Sequence, residues 1–74
     1  NLNTTTLEVD FDMVMAEFNE LTQGYMAQDP AYYGPRIVEI VERHLGKGNK
    51  VGDCSRDQAQ VIDLIVYDLK EIKK

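Results

Sequence analysis

Three stretches of this chain repeat apolar side chains once per helical turn, and that period leaves few folds open. In LEVDFDMVMAEFNELTQGY, residues Leu7, Phe11, Val14, Phe18, Leu21 and Tyr25 follow at steps of 4, 3, 4, 3 and 4. Such steps collect on one side of a helix of 3.6 residues per turn, whereas a strand alternates at period two. Met15 widens the stripe, and Glu17, Asn19, Glu20, Thr22 and Gln23 fall outside it. In PRIVEIVERHL the stripe is Ile37, Ile40, Val41, His44 and Leu45, with Glu39, Glu42 and Arg43 largely opposite. In AQVIDLIVYDLKEIKK it is Ile62, Ile65, Val66, Leu69 and Ile72, widened by Val61 and Leu64. That width suits a helix that touches two neighbours or forms an oligomer interface. Three amphipathic helices with short connections predict an all-α fold, a small three-helix bundle with helices over roughly 10–27, 35–45 and 55–73.

Capping signals set the expected boundaries. Asp10 is a candidate cap for the first helix, with Val9 and Val14 spaced as a hydrophobic staple. Thr5 to Glu8 also reads as a capping box, so residues 4–9 are either extended or one extra helical turn. Asp29-Pro30 and Gly34-Pro35 are two successive start signals. Proline disfavours the α conformation at the residue before it, so a short turn at 30–33 and a helix from Pro35 are expected. Gly46 suits the position just past a helix, where φ is often positive. Ser55-Arg56-Asp57-Gln58 forms a capping box for the third helix, and Lys70, Lys73 and Lys74 suit the negative end of its dipole.

Seventy-four residues make one helical domain, 1–74, and the lack of a starting methionine fits a piece excised from a longer chain. A single cysteine forms no internal disulfide, which fits a reducing, cytoplasmic compartment. No apolar run reaches the roughly 18 residues of a membrane span, and NLNTTT lacks the basic start and apolar core of a secretory signal. The net charge of −5 is uneven. Residues 1–42 carry eight acids against Arg36 alone, a balance of −7, and residues 43–74 carry seven bases against five acids, a balance of +2. An acidic surface repels phosphate backbones and favours basic partners, so direct nucleic-acid binding is not expected.

The stretch HLGKGNKVGDCS is the one place that resembles a chemical loop. A Walker loop needs its second glycine followed by lysine and then serine or threonine, but Gly52 is followed by Asp53. A dinucleotide fingerprint needs G-x-G-x-x-G after a strand, and here the final spacing is wrong and a helix precedes. His44 and Cys54 are the only pair that could act as imidazole and thiol, and no third group is evident to orient the imidazole. Metal sites lack ligands: one His and one Cys do not make a structural zinc site. Asp10 and Asp12 lack the glycine and glutamate of a calcium loop. Glu17, Glu20, Glu39 and Glu42 lack Glu-x-x-His partners. No catalytic residue, metal or cofactor is therefore expected, and residues 46–52 read as a solvated hinge. The basic cluster Arg43, Lys47, Lys50 and Arg56 around it is a candidate spot for an acidic partner or a phosphate.

Recognition remains. YMAQDPAYYGPR gathers Tyr25, Met26, Tyr32, Tyr33 and Arg36, residue types enriched at binding hot spots, and these are the partner-binding candidates. The sequence thus leads to the expectation of a non-catalytic protein–protein interaction module, an adaptor, inhibitor or subunit of a larger assembly that binds another protein or itself. The alternative is an acidic accessory or regulator of nucleic-acid-processing machinery. It would act by weak phosphate contact through the basic cluster or by presenting an acidic face to a basic protein.

Overall fold

The computed structural model describes residues 9–74, and among these it holds three α-helices and no strand. Helix α1 spans Phe11–Gln28, α2 Pro30–Leu45 and α3 Ala59–Lys70, packed as a small three-helix bundle. The Thr5–Glu8 capping box and the choice between strand and extra turn for residues 4–8 lie outside the described residues. Val9 precedes α1 without regular structure.

Asp10 is the cap of α1: its Oδ1 accepts from the Met13 amide at 3.2 Å. The helix ends at a corner of one residue. The Asp29 backbone amide donates to the Tyr25 carbonyl at 3.0 Å, closing α1, and its Oδ1 accepts from the Tyr32 amide at 3.2 Å, opening α2. The expected turn at 30–33 and the helix from Pro35 are therefore one helix that begins at Pro30 and runs through Pro35. Pro30 stands at the first helical position, where no amide is missed. Pro35 removes one early hydrogen bond, and the residue before it is Gly34, whose missing Cβ lightens the clash that otherwise keeps this position out of α. Gly46 ends α2 at φ 95°, and its amide donates to the Glu42 carbonyl at 2.9 Å.

The third helix is shorter than its apolar stripe. Two 3-10 turns, Val51–Asp53 and Arg56–Gln58, lead into α3, and the Ser55 amide donates to Gln58 Oε1 at 2.9 Å in the reciprocal half of the capping box. Beyond Lys70 the chain tightens, with the Glu71 and Ile72 amides donating to carbonyls three residues back. Ile62, Ile65 and Leu69 are fully buried and Val66 nearly so, which makes α3 the centre of the core. Each such side chain contributes about 1.5–3 kcal/mol by leaving water. Val14 from α1 and Ile40 and Val41 from α2 close on it.

The glycine-rich connection is tied down rather than free. Asn49 Nδ2 donates to the Leu45 carbonyl at 2.6 Å, and the Gly48 amide donates to Glu42 Oε2 at 2.9 Å. Val51 then enters the core at 3% exposure. Val51→Ala is expected to lower the unfolding free energy in urea by about 2 kcal/mol, as for other buried apolar truncations, with Lys50→Ala within about 0.5 kcal/mol of wild type. Equal effects of the two would mean that the stretch is a plain hinge.

Candidate functional site

The tyrosines of the 25–36 stretch gather at one end of the bundle. Tyr25 stacks on Tyr33 with ring centroids 4.4 Å apart, and Tyr32 meets Tyr33 edge-on at 5.1 Å. Tyr33 is buried, which places its ring inside the molecule and not on the surface with which the sequence groups it. The Tyr25 hydroxyl donates to the Leu69 carbonyl at 2.6 Å and the Tyr32 hydroxyl to the Lys73 carbonyl at 2.5 Å. These are carbonyls in the last turn of α3 and just beyond it, where the regular four-residue hydrogen bonds of the helix give way to three-residue ones. Arg36 lies over the Tyr32 ring at 3.7 Å and donates to the Tyr32 carbonyl at 2.7 Å. Lys74 Nζ pairs with Asp29 at 2.8 Å. The arrangement clasps the three helix ends together. Of the five candidate residues, Met26 and Arg36 are exposed and Tyr25 and Tyr32 half-buried.

The basic cluster is divided. Arg56 pairs with Asp12 at 3.4 Å and leans over Phe11, while Arg43 stands 4.0 Å from Asp68. Lys47 and Lys50 are exposed and make no ion pair among the described residues. His44 and Cys54 do not meet as imidazole and thiol. His44 Nε2 lies 2.6 Å from Asp68 Oδ2, and the Cys54 thiol donates to the Lys50 carbonyl at 3.7 Å. Burial, with the neighbouring Asp53 carboxylate, pushes the Cys54 thiol up. Among the described residues no three His, Cys, Asp or Glu side chains converge as a metal site.

Between the unpaired lysines lies a surface that the sequence did not single out. Phe18 of α1, Ile37, Val38 and Val41 of α2, and Val51 with the backbone of Gly48 and Gly52 line a hollow of ≈ 310 Å³, with Lys50 and Glu42, whose carboxylate accepts from the Gly48 amide, at its edge. Val38 is 53% exposed and also borders a second hollow with Pro35, Glu39, Glu42, Arg43 and Lys47. Gly48 has φ 84°, a conformation that side chains other than glycine rarely adopt, and a Cβ at Gly48 or Gly52 would meet open space. The glycines thus form a bare backbone wall. The available signal was Val38, an apolar residue off the α2 stripe, together with the one valine inside GKGNKVG.

Fold and surface define a small helical bundle with an open apolar groove. No family model matches the chain, and no solved structure matches it. Among curated proteins it is similar to the SPbeta prophage-derived uncharacterized protein YorG of Bacillus subtilis (strain 168), 37% identical over 70 residues. That match takes in 95% of this chain and 21% of YorG, so the chain spans about a fifth of its relative's length. No helix among the described residues is long and apolar enough to cross a membrane.

Burial, and then the neighbouring Tyr33, raise the Tyr25 phenol above its ordinary value of 10.0. A raised folded value means stability that is complete below pH 10 and is lost as pH rises through it. Tyr25→Phe is expected to cost about 1 kcal/mol at neutral pH through the lost hydrogen bond. In an absorbance titration of the tyrosines it should remove one late step, the ionisation of a phenol raised above 10.0. Retention of that late step in Tyr25→Phe would contradict the assignment.

Proposed function

We propose that this chain is a non-catalytic helical interaction module, an adaptor, inhibitor or assembly subunit, that holds a protein partner in the groove between α1, α2 and the glycine loop. The observation that carries this proposal is the pairing of an apolar floor, Phe18, Ile37, Val38, Val41 and Val51, with two unpaired lysines beside it. An exposed apolar hollow favours a side chain removed from water, and lysines at the rim favour carboxylates on the same segment. The fitting partner therefore presents a bulky apolar residue flanked by Asp or Glu, as on one face of an amphipathic helix. His44 and Cys54 engage different partners, Asp68 and the Lys50 carbonyl, and not each other, which supports a role without thiol–imidazole chemistry.

A second role, as an acidic accessory of nucleic-acid-processing machinery, is favoured by a different face. Asp10, Glu17, Glu20 and Asp63 border a hollow around Met13, which is 70% exposed. Arg43 and Arg56 lean on Asp68 and Asp12, so the acidic face suits a basic protein better than the basic cluster suits phosphate.

One experiment separates the two: panning a random peptide library on the protein. The groove predicts ligands with an apolar residue beside acids. Their binding should weaken at least about tenfold in Val38→Glu and in Lys50→Glu, since each 1.4 kcal/mol is tenfold. Val38 is exposed, so the Val38→Glu melt should stay close to wild type. Ligands rich in Lys and Arg, lost in Glu20→Lys and kept in Val38→Glu, would overturn the groove in favour of the acidic face.

A further inference from the structure

The outward side of α3 carries a feature that the groove does not use. Gln60, Leu64, Tyr67 and Glu71 follow at steps of 4, 3 and 4, on the side away from the buried Ile62, Ile65, Val66 and Leu69. Leu64 is 53% exposed and Tyr67 63%. Asp63 and Lys70 flank this strip toward α1, where Lys70 reaches Glu17 at 2.5 Å and Asp63 shares a hollow with Met13 and Glu17. Val61 and Asp68 flank it toward α2, where His44 and Arg43 meet Asp68.

The strip complements itself under a two-fold axis. Antiparallel helices bring together residues whose numbers have a constant sum. An axis crossing between Leu64 and Tyr67 therefore sets Leu64 against the partner's Tyr67, and Tyr67 against the partner's Leu64. Gln60 then faces the partner's Glu71. On the α1 side, which this axis keeps together, Asp63 and the partner's Lys70 stand two positions off that register, about 3 Å along the helix, within reach of each other in the flanking positions that fix orientation in paired helices. A parallel pair would instead set Asp63 against the partner's Asp68, two carboxylates. The charges thus favour one occupant and one direction.

We propose that α3 pairs with the α3 of a second copy of this chain in that antiparallel register. Two Leu–Tyr contacts are small beside the roughly 1,600 Å² of a standard interface, so the dimer is weak, with a dissociation constant of the order of hundreds of micromolar. It leaves the groove between α1, α2 and the glycine loop free, and it stands or falls independently of the partner proposed there.

Sedimentation equilibrium from about 10 μM to 1 mM tests it, with a melt of each variant as the control for folding. Wild type should show a monomer–dimer equilibrium over the upper part of that range, and Leu64→Asp should be monomeric throughout. Asp63→Lys and Lys70→Glu should each weaken the dimer several-fold, and the double variant should restore it, because the reversed charges face each other again. A monomeric wild type at 1 mM, a dimer untouched by Leu64→Asp, or a double variant no better than the singles would each overturn the proposal. Loss of the dimer in Val38→Glu with retention in Leu64→Asp would place the contact in the groove and overturn it equally.

Discussion

The structure depends on the removal of one side of α3 from water. A helix of twelve residues is too short to persist alone, because nucleation is costly and each added residue returns little. What holds it is the burial of Ile62, Ile65, Val66 and Leu69 between α1 and α2. The dependence is mutual. Val14 is the one buried residue of α1, and α2 buries Tyr33, Ile40 and Val41, so neither has a core without the third helix. Val51 adds to the same cluster from the connection, which is why the glycine stretch is drawn over the flank of the bundle.

Burial alone does not fix how the helices end, and polar contacts complete that task at one corner. Asp29 serves two helices with its amide and its carboxylate, and the same carboxylate meets Lys74. The hydrogen bond from Lys74, and then that from the Tyr32 amide, hold the Asp29 carboxyl below its ordinary 3.8, while Asp29 raises the Lys74 ammonium above 10.5. The depressed acid contributes above pH 3.8 and loses its effect as pH falls through the folded value. The raised ammonium contributes below pH 10.5 and loses its effect as pH rises through its own. Lys74 is exposed and Asp29 half-buried, so solvent still screens the pair, and its main consequence is the position of the end of the chain. The tyrosine hydroxyls act in the same place, on the carbonyls of Leu69 and Lys73 at the end of α3 and beyond it.

Most of the fold was legible in the sequence because it rests on a period and on local chemistry. The stripes of α1 and α3, the Asp10 cap, the positive φ at Gly46 and the Ser55–Gln58 box all follow from residues a few positions apart. Pro35 misled because the rule for the residue before proline assumes a Cβ, and Gly34 has none. The tyrosine clasp was only half legible. Residue type marked the stretch, but its bonds join residues 44 and 41 positions apart, and no local pattern encodes such a meeting. The groove was hidden for a related reason. Phe18, Ile37 and Val41 read as core, and only the folded connection shows that Val38 and Val51 extend that core to an open edge.

Native-state hydrogen exchange tests the central role of α3 most directly. If burial of its inner side is the common support, the amides of Ile65, Val66 and Leu69 exchange only through global unfolding, at the free energy found by denaturant titration. The amides of α1 and α2 then exchange no more slowly than these. An α3 that opens at a lower free energy, with α1 and α2 still protected, would contradict this account, because the first two helices would then hold together without it.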